Sequence, residues 1–336
     1  MAGQLFTVNS LGGFFASFNL SKELRMGVQA MSKFRQFCDI KDAWGKVTRS
    51  GQTFTWDTVP MLTRASRALV ETNTMGQGQH TIIQATLTMS ERGFSVPYTE
   101  LLESLAMVTV RAPIMKVLKY DAAVDLDCLA WQEFNRSPIR VVSTNSADTA
   151  FTLTSNSSAT ATNTTLLSKI NVRAVVNGMK GRNVPYYSQD SYYAISRPAA
   201  YTLLKSDLES VQQYTETGLD MIMKGEIGRY NDCKFVEQTT VPTGGATDST
   251  TFDPFTDTGD AWNTASSGDW AFFFGAETVC EALHTPEEIR AKIPDDYGRS
   301  KGIAWYALIG YGGTHNTLTG DTGAAQCRIF KWDSSV

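Results

Sequence analysis

Apolar and polar residues alternate along two stretches in the first third of the chain. From Gln52 to Val59, Phe54 and Trp56 alternate with Thr53, Thr55 and Asp57; further on, Ile83, Ala85, Leu87 and Met89 alternate with Gln84, Thr86 and Thr88. A period of two puts like residues on one face of a strand, so the two stretches predict a hairpin-like unit with one apolar face. The alternation resumes after Glu91-Arg92-Gly93 with Phe94, Val96 and Tyr98, shifted by one residue. An odd step around a glycine predicts a β-bulge. Between the strands, Thr63 to Glu71 predicts a short helix. The polar, Gly-containing tip predicts a projecting arm that does not close into a compact hairpin.

Helical spacing flanks this unit on both sides. Leu20, Leu24, Val28, Met31 and Phe34 recur at steps of three and four, with Ser21 placed as an N-cap. Residues 1 to about 18 are rich in Gly, Phe and Asn without a period and read as an irregular arm. After the hairpin, Leu101, Leu105, Val108, Ala112, Met115, Leu118, Ala122, Leu126 and Leu129 keep the helical step. One helix from about Tyr98 to Phe134 would be roughly 55 Å long. Pro113 lies inside it and predicts a kink or break.

The second half predicts helices packed on a mixed sheet. Leu167 to Met179 has helical spacing and Tyr192-Tyr193-Ala194-Ile195 reads as a strand. Ser196-Arg197-Pro198 reads as a helix start, with Ser196 as N-cap and Tyr201, Leu204, Leu208 and Val211 on the buried face. Cys233 to Thr239 and Trp270 to Phe274 read as strands, the latter followed by a helix through Leu283. Gly302 to Gly310 and Gln326 to Trp332 supply two more strands. Two tracts interrupt the pattern. Ser143 to Thr165 is Ser-, Thr-, Asn- and Ala-rich and reads as loop, short strands or flexible insertion. Thr240 to Gly268 is polar and Gly-rich and reads as an exposed insertion. The sequence shows no internal repeat.

Composition narrows the function classes. The 336 residues are 42% hydrophobic and 11% aromatic, so a sizeable core is available. Only 19% are charged, against roughly 25% in typical soluble domains. That balance suits either a low-charge monomer or a surface partly covered by further copies. Thirty basic and 34 acidic residues give a net charge of -4, and no Lys/Arg block of five exists. A dedicated nucleic-acid binder needs clustered cations and is not expected. The five cysteines are dispersed, without a CxxC, which predicts reduced thiols and no zinc or disulfide framework. The N-terminus lacks a signal-peptide pattern, and no apolar run of about 18 residues predicts a membrane span.

Candidate chemistry is sparse. His80, His284 and His315 sit in no metal-ligand spacing. Gly45-Lys46-Val47-Thr48 lacks P-loop spacing, and no GxSxG occurs. Gly310-Tyr311-Gly312-Gly313-Thr314 superficially resembles a phosphate cradle, but no helix pattern follows it, so it reads as a tight turn. Asp121 and Asp125 share a helix face and could act as an acid/base pair in a hydrolase; a solvated charged face beside Lys116 and Lys119 is the plainer account. In Gly225-Glu226-Ile227-Gly228-Arg229-Tyr230 the two glycines permit a sharp reversal, across which Glu226 and Arg229 could pair, within the chain or at a subunit contact. No catalytic residue, metal ligand or cofactor is assigned.

The order of parts carries a resemblance. Gly51-Gln52-Thr53-Phe54-Thr55-Trp56, Leu69-Val70-Glu71, the return strand ending Tyr98-Thr99-Glu100-Leu101, Ala122-Ala123-Val124-Asp125-Leu126-Asp127, Tyr193-Ala194-Ile195-Ser196-Arg197-Pro198, Gly225 to Tyr230 and Phe273-Phe274-Gly275-Ala276-Glu277 occur in this sequence. In that order they resemble segments of the major capsid proteins of tailed bacteriophages with the Hong-Kong-97-type fold, most closely the coat family typified by phage N-four. The likeness runs over roughly residues 30 to 335 and departs from the family at the 143–165 tract and the 240–268 insertion.

The resemblance implies an α+β fold: an N-terminal arm with a helix (1–45), an extended two-stranded loop (46–97), a peripheral domain with a spine helix and polar tract (98–165), and an axial α+β domain (166–336) whose C-terminal strand returns to the peripheral domain. It implies a virion shell subunit assembled in the host cytoplasm, with many copies in hexamers and pentamers, scaffold and portal proteins, a cement or decoration protein, and packaged DNA contacted without sequence specificity. No membrane partner is implied. Assembly contacts are expected at Phe54 and Trp56, whose apolar face a neighbour would cover, and at Glu226 and Arg229. An encapsulin-like bacterial compartment shell shares the fold class and is the alternative; the hydrolase using Asp121 and Asp125 ranks behind it.

Overall fold

The computed structural model describes residues 33–42, 53–59, 71, 82–106, 109–145, 148–153, 166–188, 190–212, 229–238, 270–315 and 327–333. In chain order these form β1 (Asp39–Asp42), β2 (Thr53–Thr58), β3 (Ile83–Thr88), β4 (Ser90–Thr99), α1 (Glu100–Leu105), α2 (Arg111–Asn135), β5 (Ile139–Asn145) and β6 (Asp148–Leu153). Then come α3 (Lys169–Gly181), β7 (Tyr192–Ser196), α4 (Thr202–Gln212), β8 (Arg229–Tyr230), β9 (Cys233–Glu237), β10 (Trp270–Phe274), β11 (Val279–Ala291), β12 (Ser300–Gly313) and β13 (Ile329–Asp333). Single 3-10 turns occupy Phe34–Phe37 and Pro198–Tyr201.

Two sheets organise these elements. A seven-stranded mixed sheet runs in the order β6-β5-β13-β10-β7-β9-β8. Its centre is β10, whose five residues Trp270 to Phe274 are all buried. An uninterrupted apolar run is what a strand needs when both its faces are covered. The same core holds Val172, Val175, Val176 and Met179 of α3, Leu204 and Leu208 of α4, and Ala130, Trp131 and Phe134 of α2. Its aromatic rings meet in tilted and edge-on pairs, with Phe34 and Phe134 5.5 Å apart and Phe134 and Phe274 5.1 Å apart. These are the geometries that aromatic quadrupoles favour.

The second sheet has four strands in the order β1-β11-β12-β4. Ile303, Trp305, Ala307 and Ile309 of β12 pack against Val110, Ile114, Leu118, Ala122 and Leu126. Helix α2 therefore serves two cores, its first four turns the four-stranded sheet and its last turns the seven-stranded one. That double duty explains why its apolar residues make no single stripe. At 25 residues it is about 37 Å long. Strands β11 and β12 fall late in the chain, between residues 279 and 313, yet β11 pairs with β1, β12 pairs with β4, and both lie on α2.

Several local expectations are corrected. The long helix expected from Tyr98 to Phe134 is two helices, one ending at Leu105 and the next beginning at Arg111. Pro113 is the third residue of α2, a position where the missing N–H has no intrahelical partner to lose. The helix expected after Phe274 is instead the 13-residue strand β11, because Val279 to Leu283 and Glu288 to Ala291 pair with β12 on either side of an irregularity at residues 284–287. Ser196 does not cap a helix; it ends β7, its hydroxyl donates to the Trp270 carbonyl at 2.6 Å, and Arg197 takes the cap position. Gly93 is not at a bulge. The β4–β12 register is continuous, and a Cβ at Gly93 would lie 2.5 Å from the Trp305 carbonyl oxygen, so the glycine permits close strand approach.

The stretch Gly310 to Gly313 lies inside β12 and is no turn. Of the helix expected over residues 19–37, the last four form the 3-10 turn Phe34–Phe37 that leads into β1; residues 19–32, the helix expected at 63–71 and the 240–268 insertion lie outside the described residues, except that Glu71 is in a turn. Of the 143–165 tract, the first part pairs as β5 and β6, and residues 154–165 lie outside.

Candidate assembly surfaces

The arm is an antiparallel pair with Phe54 opposite Leu87 and Trp56 opposite Ala85. Thr53, Thr55, Gln84, Thr86 and Thr88 are exposed on its other face, and Gln84 Nε2 donates to Asp57 Oδ1 at 2.8 Å. Sequence alternation thus placed the apolar side correctly, but what covers it differs from expectation. Phe54 is only 6% exposed and clusters with Leu87, Met89 and Ala282, while Trp56 and Leu308 pack on the rim. The face expected to need a neighbouring subunit is covered by this chain's own β11–β12 pair.

Two glycines make that seat. A Cβ at Gly310 would lie 2.2 Å from Leu87 Cδ1 and 2.9 Å from the Thr88 carbonyl oxygen; one at Gly312 would lie 2.9 Å from Leu87 Cβ. No side chain other than hydrogen leaves room for Leu87 over Gly310. Among the described residues the arm also exposes Val59 and Ile82, at the end of the pair opposite Thr53 and Thr88.

Other large apolar side chains are exposed around the four-stranded sheet. Phe94 lies on the edge strand β4, Leu101 and Leu105 on α1, and Val117 on α2. The turn joining β11 to β12 carries Ile293 at 86% and Tyr297 at 105% exposure. That turn is not loose. The Asp295 and Ser300 backbones bond reciprocally, Gly298 N donates to the Asp295 carbonyl, and Asp296, Tyr297 and Gly298 all have positive φ. A left-handed tyrosine is held there only because the surrounding hydrogen bonds determine it. Rigid, exposed aromatic tips of this kind are what buried contacts between proteins draw on.

The carboxylates singled out in the sequence are engaged structurally. Asp121 Oδ2 accepts from the Trp305 indole at 2.8 Å, and Asp125 lies 4.0 Å from Arg92. Burial raises the Asp125 carboxyl above its ordinary range, with Arg92 opposing and Asp121 adding to the rise. Asp127 is buried and accepts from Arg35 N at 3.0 Å and from Gln238 Nε2 at 2.7 Å. It ties the 3-10 turn at Phe34 to α2. Arg229 is exposed, pairs with Asp232 at 2.8 Å and donates to the Asp190 carbonyl at 2.6 Å. Glu226 lies outside the described residues. His284 donates to or accepts from the neighbouring Thr285 hydroxyl at 3.0 Å, and no group of three His, Cys, Asp or Glu able to hold a metal exists among the described residues.

One cluster had no signal in the sequence. Arg35 Nη2 lies 2.8 Å from Glu281 Oε1 and Nη1 2.9 Å from Glu287 Oε1, across more than 240 residues. The Glu281 side chain is fully buried. Burial works against the Arg35 charge, but the bonds to Glu287 and Glu281 outweigh it and hold the guanidinium protonated; Arg35 in turn holds the Glu287 carboxyl low. Residues this far apart in sequence carry no local pattern, so only the fold reveals the clamp that fastens residues 33–42 to the sheet.

The described residues contain no helix long and apolar enough to cross a membrane. No protein-family model matches the chain, and no curated protein matches it either. The fold does match solved structures. The head structure of Helicobacter pylori bacteriophage KHP40 aligns with 95% of this chain and 96% of its own at a TM-score of 0.68 and 13% identity. The acidic stable capsid structure of Helicobacter pylori bacteriophage KHP30 aligns over 95% of each chain at 0.67 and 13%. The capsid structure of the Cyanophage P-SCSP1u covers 94% and 91% at 0.65 and 11%. Nearly the whole chain therefore has the fold seen in these capsid structures, with little of their sequence.

Proposed function

We propose that this chain is the major capsid protein of a tailed bacteriophage, a structural subunit that self-assembles into an icosahedral shell around viral DNA. The observation that carries the reading is the end-to-end likeness of fold to phage capsid and head subunits, over nine tenths or more of both chains. The surfaces support it. An exposed sheet edge and a rigid apolar tip are features that repeated unlike-surface contacts use, and such contacts close into rings and shells when the rotation closes. A net charge of -4 keeps the subunit from adhering to packaged DNA, whose phosphates repel it.

On this reading β2 and β3 form the extended loop, α2 is the spine of the peripheral domain, and the seven-stranded sheet is the axial domain. Strands β11 and β12 belong with the peripheral domain. The partners are further copies in hexamers and pentamers, with scaffold, portal and decoration proteins joining them. The role is structural, not catalytic. Negative-stain electron microscopy of the purified full-length protein tests it. Closed particles tens of nanometres across are expected. A monomer under every assembly condition refutes the reading, and particles filled with a cargo enzyme in place of DNA would favour a compartment shell.

A further inference from the structure

The turn between β11 and β12 fixes an aromatic ring in solvent through its backbone. Asp296 and Tyr297 are consecutive non-glycine residues in the left-handed region, with φ of 54° and 55°. Strain of this kind persists only where surrounding bonds over-determine it, and it concentrates at functional sites. Here Lys292 N donates to the Gly302 carbonyl, Arg299 N to the Asp296 carbonyl, and Asp296 N to Asp295 Oδ1 at 2.8 Å. Lys292 Nζ donates to Ser300 Oγ at 2.9 Å. The result is a fixed knob that carries the exposed Tyr297 and Ile293. Ordering the contact residues is a main cost of association, and in this turn the ordering is complete before a partner arrives.

A hollow of about 340 Å³ lies further down the same hairpin, between β11, β12 and α2. Its apolar lining is Trp305, Ala122, Ala123 and Ile289, of which Ala123 and Ile289 are exposed. The volume falls at the low end of the roughly 300–1,000 Å³ that ligand sites span, which suits one aromatic ring. Of the charged side chains around it, Arg35 is bonded to Glu287 and Glu281, and Glu288 to Arg290. Lys119 is exposed there and makes no ion pair among the described residues. On the knob, Asp295 is likewise exposed and makes no ion pair among the described residues. Knob and hollow thus each present an uncommitted charge beside an apolar surface, and the two charges are opposite.

We infer that the Tyr297 ring of one copy enters this hollow on a second copy, with Asp295 brought beside Lys119. The inference rests on the proposed shell function, which supplies the second copy. A chain's own ring does not reach its own hollow. Strands β11 and β12 stay paired from Glu288–Tyr306 to Ala291–Ile303, and Ile293 stands four residues past Ile289, about 13 Å along the strand. A knob and a hollow at different places on one surface make a contact between unlike patches, which each copy repeats with the next.

Full-length wild type, Tyr297→Asn, Ala123→Leu and the double variant are compared by light scattering and electron microscopy, with thermal melting of dissociated subunits alongside. Asparagine tolerates the left-handed backbone, and leucine on the exposed Ala123 position fills the hollow. Each single change is expected to raise the protein concentration for half-maximal assembly about ten-fold, as loss of an anchoring aromatic does, with subunit melting near wild type. The double variant should rise little further, because both changes remove one contact. In assembled Tyr297→Cys/Ala123→Cys particles, a short bis-maleimide is expected to link chains that neither single cysteine variant links. An unchanged threshold in Tyr297→Asn overturns the inference and leaves the proposed function standing. A raised threshold in Tyr297→Asn with an unchanged one in Ala123→Leu, or no linkage beyond the single variants, overturns the hollow as the seat of the ring. Failure of the wild type to assemble overturns both readings. If Ala123→Leu lowers subunit melting, the cross-linking result decides.

Discussion

Replacing Gly310 by alanine separates seating of the arm from folding of the body. A new Cβ would stand 2.2 Å from Leu87 Cδ1, 2.9 Å from the Thr88 carbonyl oxygen and 3.1 Å from Met89 Cα. Carbon atoms pack at about 3.5–4.0 Å, so Leu87 must retreat by more than about 1 Å. Leu87 is buried and two of the three contacts are backbone, so rotamer change alone does not relieve the clash. Overpacking of this kind costs about 1–3 kcal/mol. Alanine in a strand returns only about 0.5–1 kcal/mol relative to glycine, and the net effect is destabilising. Leu87→Ala alone should cost about 2–5 kcal/mol by leaving a cavity.

In the double variant the new methyl occupies the space the leucine vacated, so the two costs should fall short of additivity by at least about 1 kcal/mol. Urea unfolding of dissociated subunits gives the energies, and hydrogen exchange over residues 83–88 reports where the loss occurs. Additive energies, or Gly310→Ala with wild-type stability and wild-type exchange at 83–88, would refute the seating of Leu87 over Gly310.

Two further outcomes follow from the buried charges. Arg35→Met leaves the fully buried Glu281 without its cation and should cost about 3–5 kcal/mol, read by urea unfolding; a loss below about 1 kcal/mol would mean the clamp is dispensable. His315 titrates near 4 in the folded protein against 6.5 unfolded, so between these values the unfolded chain binds the extra proton. Its contribution to stability is present above pH 6.5 and is lost as the pH falls toward 4, by about 3 kcal/mol. Asp127 and Glu133, whose carboxyls burial raises, act in the opposite direction below neutrality, so the informative quantity is the difference between wild type and His315→Gln. Parallel stability–pH curves for the two proteins would refute the assignment.

Local pattern and tertiary structure divided the determination of this fold along physical lines. Alternation over Thr53–Asp57 and Ile83–Met89 identified both arm strands and their apolar face, because a period of two is a property of the chain itself. Helical spacing found α3 and the body of α2, and an unbroken apolar run found β10. The collinear series of motifs pointed to the phage capsid fold that the structural matches share.

Long-range pairing decided the rest. Val279 to Ala291 became a strand because β12 lies beside it, overriding a local reading as helix. Gly93, Gly310 and Gly312 are glycines because another backbone or Leu87 occupies the space a Cβ would take, which sequence registers only as a break in pattern. Arg35 meets Glu281 through a contact that no window along the chain can contain. The sequence by itself settled which residues face inward along the arm strands, α3 and β10, but it also put Phe94, Leu101 and Leu105 on apolar faces that the fold leaves exposed. Only the tertiary structure settled what they face, and it turned Phe54 from a residue awaiting a neighbour into one covered by its own sheet.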